Sequence, residues 1–252
     1  MANGGTSDML QWPSNVFVKV TSHVDGNLAL HTGDNPIEVN ANRKRLGSGL
    51  PDTAVWLRQV HGTEVVQIAT GWTGEATADA SYSQLQDTPL AILVADCLPA
   101  VIASVDGREI AAVHAGWRGL ADGILHRVVS TFESSSLVAY LGPCIGPCHY
   151  EVDAKVRDRM TDQERGTGFA VSRDDHWNMD LQQIARDQLE GRGVAIERAD
   201  DRCTACSALS GGKEQLYSHR LASKKGTVEI RRFAVLVWRQ APGKPGARSC
   251  PG

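Results

Sequence analysis

The residue types best suited to binding a metal ion lie at the ends of predicted strands. His61 lies between two predicted strands in RQVHG, Cys97 follows an apolar strand in ADCLP, and His114 ends a strand at the start of HAGWRG. Zinc binds imidazole nitrogen and thiolate sulfur readily, and three such ligands leave a fourth tetrahedral position open, as in catalytic zinc sites. The alternative is a buried thiol with two surface histidines. This alternative stays open because the three residues are far apart in the sequence, so their spacing alone does not show that they meet.

The segment Gly116-Trp117-Arg118-Gly119 connects a predicted strand to a predicted helix. Free backbone N–H groups and the positive end of the helix dipole would lie there, and the Arg118 guanidinium is suited to phosphate or carboxylate. The segment therefore indicates a binding site for an anionic substrate beside the metal. A tight turn that needs two glycines and packs Trp117 is the alternative interpretation.

Two further cysteine pairs are candidates for a closed structural metal site or for redox chemistry. Cys203 and Cys206 have C-x-x-C spacing, and Cys144, Cys148 and His149 lie close together in the segment CIGPCH. A site with four cysteine ligands would have no open position. We disfavour it because neither pair lies in the short ribbon usual for such sites. We disfavour redox chemistry because the C-x-x-C lacks the strand and helix that flank such motifs.

Strand and helix patterns alternate along the chain and predict how these residues are positioned. The dipeptide Asp106-Gly107 between two strand patterns indicates a hairpin. One helix is predicted from Leu120 to about residue 132, and a second begins at Asp180, which can cap it, and stops at Gly191 in a left-handed conformation. The predicted strands cover residues 16–20, 54–57, 64–68, 90–95, 101–105, 110–114, 137–141, 194–197 and 233–238.

Tight turns between neighbouring strands, together with few helices, favour an α+β fold of mixed β-sheets with packed helices. We predict a single domain over residues 10–239, with flexible tails at 1–9 and 240–252, because the second tail has the composition of a disordered segment. Six cysteines in 252 residues is not the density of a disulfide-stabilised secreted domain.

The composition excludes several classes of partner. Acidic and basic residues are interleaved and the formal net charge is −3, so we predict no nucleic-acid partner. The N-terminal segment lacks the basic start and apolar stretch of a secretory signal, and every apolar run is too short to span a bilayer. We therefore predict a cytoplasmic protein with no membrane contact. We also predict a monomer, because the sequence has no coiled-coil pattern.

Several motifs, in the same order along the chain, resemble those of the laccase-domain (YfiH-like) family. They are RQVHG, ADCLP, HAGWRGL, LGPCIGP followed by YEV, and DRCT followed by YSHR, and the similarity extends over residues 11–238. Members of this family are described as purine nucleoside phosphorylases and as polyphenol oxidases. The resemblance implies an α+β fold and a zinc ion bound by His61, Cys97 and His114.

The activity that the resemblance implies is phosphorolysis of adenosine, inosine and methylthioadenosine, accompanied by deamination of adenosine. Zinc would lower the pKa of a water molecule for the deamination. Phosphorolysis needs phosphate close to the sugar, and Arg118 is the candidate that holds it. Asp96 is a candidate for orienting an imidazole or moving a proton, and equally for a structural carboxylate. The catalytic candidates are Cys97, Asp96 and Arg118, and the substrate-binding candidates are Asn27, Gln59, Arg118 and Arg220.

The chain departs from the family pattern in two places. The early segment TSHVDG, residues 21–26, is shorter and lacks an arginine, and the stretch LASKKGTVEIRR, residues 221–232, is longer and altered. We expect these differences to affect substrate specificity and to leave the metal site intact.

Three alternative functions remain. The first is a copper-dependent polyphenol oxidase, since copper binds nitrogen and sulfur ligands more tightly than zinc. Eight histidines without an H-x-H pair argue against the several copper ions of a true laccase. The second is a metal-free cysteine hydrolase that edits cell-wall peptide precursors, with Cys97 as nucleophile and His114 or His61 as base. The third is a binding module with a structural metal, which an open coordination position disfavours.

Overall fold

The computed structural model describes residues 11–226 and 231–241. The predicted tails therefore lie outside the described residues, except for Gln240 and Ala241. Residues 227–230 of the altered stretch also lie outside them. The domain boundaries stay a prediction. Within the described ranges, every helix is too short or too polar to cross a membrane.

Fourteen strands and eight α-helices form in these ranges. The strands are β1 (Val16–Val20), β2 (Leu57–Arg58), β3 (Val65–Ile68), β4 (Ala76–Thr77), β5 (Ala80–Ser83), β6 (Leu90–Val94), β7 (Leu98–Ser104), β8 (Ile110–Ala115), β9 (Leu137–Leu141), β10 (Glu151–Asp153), β11 (Phe169–Arg173), β12 (His176–Met179), β13 (Ala195–Ala199) and β14 (Phe233–Arg239). The helices are α1 (Pro36–Gly47), α2 (Trp117–Ala121), α3 (Ile124–Val129), α4 (Ala154–Arg157), α5 (Asp162–Thr167), α6 (Leu181–Glu190), α7 (Thr204–Ser210) and α8 (His219–Lys224).

The largest sheet has six strands in the order β13-β9-β7-β8-β5-β3. It is mixed, because the outer pairs are parallel and the inner pairs are antiparallel. An antiparallel sheet in the order β1-β14-β6 packs against it, and the smaller sheets are β10-β12-β11 and β2-β4. The predicted hairpin joins β7 to β8, with Gly107 at a φ of 67°. These mixed sheets with packed helices confirm the predicted α+β fold.

The central strands of the six-stranded sheet are buried on both faces. Successive side chains of a strand point to opposite faces, so along β7 Ile102 packs in the core that contains Leu125 of α3. Its neighbour Val101 packs in a second core with Ile92 of β6 and Val235 of β14. A strand that is covered on both faces is a continuous apolar run, which is why these strands are visible in the sequence.

Two features of the predicted helices are wrong. The helix predicted from Leu120 consists of two short helices, α2 and α3, because Gly123 adopts a left-handed φ of 83° between them. Helix α6 begins as predicted with the Asp180 carboxylate as its cap, but Gly191 has a φ of −60°. Turn hydrogen bonds continue past Gly191, so the left-handed residue is Gly193, at a φ of 74°.

Helix α1 is absent from the sequence-based prediction because its surface is polar nearly all round. Val39 and Leu46 are its buried residues. Asn35 caps it by accepting a hydrogen bond from the backbone N–H of Ile37, and Arg43 Nε donates to the Leu28 carbonyl at 2.8 Å. Capping and backbone contacts, rather than an apolar stripe, hold this helix.

Candidate metal centre

The three predicted metal ligands lie together, although they come from distant parts of the chain. His61 lies in the loop between β2 and β3, Cys97 in the turn between β6 and β7, and His114 near the end of β8. Their candidate donor atoms all lie within 4.8 Å of one another, and Cys97 Sγ is 3.7 Å from His61 Nε2. The fold therefore brings one thiol and two imidazoles to a single point.

Cys97 is positioned by a sharp reversal of the chain between two sheets. Strand β6 belongs to the three-stranded sheet and β7 to the six-stranded sheet, and only residues 95–97 connect them. Asp96 adopts a positive φ of 92° at this reversal. In the register of β7 with β8, Pro99 lies opposite His114, so Cys97 and His114 lie at the same end of this strand pair.

The buried carboxylate of Asp79 positions both histidines. It accepts hydrogen bonds from the backbone N–H groups of Val60, His61 and Gly62, at 3.2, 2.9 and 2.7 Å, and so holds the loop in which His61 has a φ of 60°. Its Oδ1 atom also lies 2.8 Å from Nδ1 of His114. Burial raises the pKa of Asp79, but His114 and the loop N–H groups outweigh burial and lower it. Asp79 is therefore ionised, and Nδ1–H of His114 donates to it.

The pKa values of Cys97 and His114 shift in opposite directions. Burial raises the pKa of the Cys97 thiol, but the imidazoles of His114 and His61 outweigh burial and lower it to about 6. Burial lowers the pKa of His114, while Cys97 and Asp79 raise it to about 9. The metal-free centre therefore holds a thiolate next to an imidazolium near neutral pH.

In the metal-free protein, we expect the alkylation rate of Cys97 to rise through about pH 6 and to level off by neutral pH. The thiolate is the form that is alkylated, and an ordinary cysteine thiol is half ionised only near about pH 8.5. Labelling with iodoacetamide after chelation, followed by mass spectrometry of the peptides, measures the rate. Cys148 is an internal control, because burial and its neighbouring thiols raise its pKa to about 12. A Cys97 rate that follows that of an ordinary thiol would contradict the prediction.

The donor set fits a zinc ion. Since Nδ1 of His114 is occupied by Asp79, its Nε2 is the nitrogen free to bind a metal, and the orienting carboxylate is an arrangement found around many zinc-bound histidines. Two imidazole nitrogens and one thiolate are ligands that zinc accepts, and they leave one position open. All three side chains line a cavity of about 340 Å³, so a zinc ion held by them would lie next to a space large enough for a small molecule.

Gly116 lies so close to the donor atoms that a larger residue would displace them. A Cβ atom at this position would lie 3.0 Å from Cys97 Sγ and 3.2 Å from His61 Cδ2. Glycine is therefore needed here for the close approach, not for its backbone angles, since its φ of −68° and ψ of 165° suit any residue.

We expect Gly116→Ala to weaken metal binding. Activity should fall on the order of tenfold to a hundredfold, because misplacing a reacting group by about 1 Å can cost about a hundredfold. The melting temperature of the metal-free protein should hardly change. Competition with a chelator and thermal unfolding measure the two quantities. Gly47→Ala is the matched control, since nothing lies within 4 Å of a Cβ there. Equal metal affinity in both variants would contradict this expectation.

The cavity next to the donor atoms has a basic and aromatic wall. Its lining includes the arginines Arg118, Arg220 and Arg232, the aromatic residues Trp117 and Tyr150, and the histidines His31 and His219. The Arg118 guanidinium lies 4.4 Å from the Trp117 ring centre, and that of Arg220 lies 5.2 Å from the Tyr150 ring centre. Anionic and aromatic ligands would both find partners here.

Gln59 and Asp96, both predicted for the site, line this cavity, and each has hydrogen-bond partners within the protein. The Gln59 amide pairs with the backbone of Leu93 on β6, donating at 2.9 Å and accepting at 2.8 Å. Asp96 accepts hydrogen bonds from Thr204 Oγ1 and from the backbone N–H of Arg220, each at 2.6 Å. Asp79, not Asp96, contacts an imidazole, and Asp96 connects the Cys97 turn to α7 and α8.

Asn27 lies away from this cavity. Its side chain is buried, and its Oδ1 accepts hydrogen bonds from the backbone N–H groups of Ala29 and Arg232, at 3.1 and 2.9 Å. Its Nδ2 donates to Thr32 and Asp34. Asn27 therefore contacts the backbone of Arg232, whose side chain lines the cavity, and its contact with substrate stays a prediction.

Four residues of the site escape sequence reasoning: Asp79, His31, Tyr150 and Arg232. Tyr150 directly follows the segment LGPCIGPCH, which is a usable signal. No local pattern marks Asp79, because it becomes part of the centre only when the start of β5, which it directly precedes, pairs with β8.

A family model described as multi-copper polyphenol oxidoreductase laccase matches residues 18–240 of the chain. The chain belongs to this family. The resemblance of the motifs to laccase-domain proteins is thereby confirmed. Membership of the laccase-domain family and the cluster of His61, Cys97 and His114 together indicate an enzyme that binds a metal ion.

Relatives of the chain match most of its length. A Xylella fastidiosa (strain 9a5c) protein named purine nucleoside phosphorylase is 40% identical over 230 residues, covering 84% of this chain and 83% of that protein. The Escherichia coli (strain K12) protein named purine nucleoside phosphorylase YfiH is 38% identical over 217 residues, covering 84% and 85%. The crystal structure of Neisseria meningitidis protein NMB0706 has a TM-score of 0.80 at 30% identity and covers 92% and 98% of the two chains.

Proposed function

We propose that this protein is a zinc-dependent purine nucleoside phosphorylase that acts on adenosine, inosine and methylthioadenosine, with deamination of adenosine as a side activity. The observation that carries the proposal is the placement of the donor atoms of His61, Cys97 and His114 in the wall of a cavity that also contains arginine and aromatic side chains. Two relatives of the chain are named purine nucleoside phosphorylase, which supports the proposal.

The arginines of the cavity suit the phosphate substrate. Arg118 and Arg220 each lie next to an aromatic ring, Trp117 and Tyr150, which restricts the guanidinium groups and leaves donors for oxygen ligands. We assign phosphate binding to Arg118, with Arg220 and Arg232 adding positive charge. The Trp117 and Tyr150 rings supply aromatic surface for the purine.

In phosphorolysis, a phosphate oxygen forms a bond to C1 of the ribose while the bond from C1 to the purine nitrogen breaks, and the purine leaves with the proton that hydrogen phosphate loses on forming the ester. Holding phosphate against the sugar stabilises the positive charge that develops on the ring. Burial, followed by the charge of Arg232, lowers the pKa of both His31 and His219, so neutral imidazoles are available for proton transfer. Asp96 acts as a positioning residue through its two hydrogen bonds. When bound, zinc supplies a Lewis acid at the cavity wall.

The test is release of free base from inosine, with and without phosphate, by protein purified without a metal-affinity tag. We expect release to require phosphate and to yield ribose 1-phosphate. In Arg118→Ala the KM for phosphate should rise about 10- to 100-fold, as expected for the loss of a hydrogen bond to a charged group. Arg127→Ala is the matched control, since Arg127 is an exposed partner of Glu64. Release that is independent of phosphate would overturn the phosphorylase proposal.

A second candidate is a metal-free cysteine hydrolase that edits cell-wall peptide precursors. The contact from Asp79 to His114, together with the lowered pKa of Cys97, favours it, because a thiolate nucleophile, the imidazole that takes its proton and a carboxylate that orients the imidazole lie side by side. Metal removal separates the two functions: chelation should abolish the phosphorylase and leave the hydrolase active.

Copper polyphenol oxidase is the third candidate, and the family description favours it. Metal identification in protein isolated from its natural host, together with oxygen consumption on a phenol, tests it. Cytoplasmic location, the monomeric state and the lack of a nucleic-acid partner stay predictions.

A further inference from the structure

Outside the centre described above, a second group of metal-ligand side chains lies at the start of α7. Cys148 and His149 lie in the loop between β9 and β10, and Cys203 and Cys206 lie at the cap and in the first turn of α7. We propose that Cys148, His149, Cys203 and Cys206 bind a second zinc ion with a structural role. This proposal does not rest on the proposed phosphorylase activity.

The donor atoms of this cluster have the spacing of a tetrahedral zinc site. Cys148 Sγ lies 3.6 Å from Cys206 Sγ, and His149 Nδ1 lies 3.5 Å from Cys206 Sγ and 3.9 Å from Cys203 Sγ. All four donors lie within 4.8 Å of one another. Zinc bonds of about 2.3 Å to sulfur and about 2.0 Å to nitrogen, at tetrahedral angles, place two sulfurs about 3.8 Å apart and sulfur and nitrogen about 3.5 Å apart.

The backbone around the cluster donates several hydrogen bonds to one of its sulfurs, that of Cys203. The N–H of Gly146 donates to Cys203 Sγ at 3.2 Å, and the N–H groups of Ala205 and Cys206 also point at this sulfur. The loop and the helix are joined through the backbone, by an isolated β-bridge between residues 144 and 203; the thiols of Cys144 and Cys203 are free. The site is therefore formed by two connected segments and does not depend on chance proximity of mobile side chains.

The ligand set differs from the four-cysteine site considered from the sequence. Cys144 is buried in the core that contains Ile145, where its thiol donates to the Ile145 carbonyl, and its sulfur is not among the clustered donor atoms. His149 takes the fourth position. Three thiolates and one imidazole fill all four tetrahedral positions, which is typical of a structural site and leaves no place for substrate.

A metal ion in this cluster would also fix a partner of the first centre. Thr204, between Cys203 and Cys206 in sequence, donates from its hydroxyl to Asp96 at 2.6 Å, and Asp96 directly precedes Cys97. The second site would therefore hold the start of α7 in the place where it supports the Cys97 turn.

The test is metal content per chain, by mass spectrometry of the full-length protein grown with zinc and purified without a tag under reducing conditions. We expect two zinc ions in the wild type and one each in Cys97→Ala, Cys148→Ser and Cys206→Ser. Cys144→Ala is the matched control, since it removes a neighbouring thiol outside the cluster, and should keep two. The melting temperatures of Cys148→Ser and Cys206→Ser should fall, and excess zinc should not restore them.

X-ray absorption at the zinc edge of Cys97→Ala adds a measurement that needs no change in the cluster. We expect three sulfur neighbours and one nitrogen neighbour around the remaining ion. Cys148→Ser and Cys206→Ser proteins that keep the zinc content of the wild type would overturn the proposal, as would a disulfide between Cys148 and Cys206 in freshly isolated protein. A zinc environment without three sulfurs would also overturn it.

Discussion

Cys97→Ala is expected to empty the centre formed with His61 and His114 and to lower base release from inosine by about a thousandfold or more. The thiolate is the one anionic ligand of this centre, and two imidazoles alone bind zinc weakly. Without the ion, its contribution to catalysis is lost, and metal ions supply several kcal/mol of transition-state stabilisation. Metal analysis and the inosine assay on the same preparation measure both effects.

The control for this variant is His126→Ala, which removes an exposed histidine of α3 outside the cavity. Loss of activity with the ion still bound would contradict the assignment of Cys97 as a ligand and would favour its role as a nucleophile. A variant that keeps both the ion and the activity would remove Cys97 from the mechanism.

Asp79→Asn is expected to weaken zinc binding at the same centre about 10- to 100-fold, the usual effect of removing a carboxylate that orients a zinc-bound histidine. Asparagine cannot accept hydrogen bonds with both of its terminal atoms. It would therefore lose part of the bonding to His114 Nδ1–H and to the N–H groups of the His61 loop. Because Asp79 is fully buried, the metal-free protein should also be less stable.

Zinc competition with a chelator and urea unfolding measure these two effects. Asp122→Asn is the control, since Asp122 is a surface carboxylate paired with Arg159. An Asp79→Asn protein with wild-type zinc affinity would show that His114 keeps its orientation without the carboxylate.

The strands that carry the metal ligands are predictable for a physical reason. Strands β6, β7 and β8 are covered on both faces, so each is an unbroken apolar run, and a polar residue at its end is conspicuous. That is how Cys97 and His114 are found without a structure. The α1 helix lacks this signal, since its stability comes from a cap and from contacts with distant backbone.

The rest of the site depends on side-chain direction and strand pairing. Asp79 lies in an unremarkable segment, and its role arises only when the chain folds it beneath the His61 loop. In the second cluster the fourth donor atom comes from His149 and not from Cys144, because the Cys144 side chain is buried in the core. Spacing in the sequence shows which residues are near one another along the chain, but not where they point.

The three-residue connection between β6 and β7 has a mechanical consequence for the two packed sheets. Cys97 belongs to the crossing from one sheet to the other, whereas His114 lies on β8 and is held by hydrogen bonds within the six-stranded sheet. An ion shared by these two residues would join the crossing to that sheet. The ion would therefore stiffen the crossing itself, and its removal would loosen the turn at Asp96 before it affected either sheet.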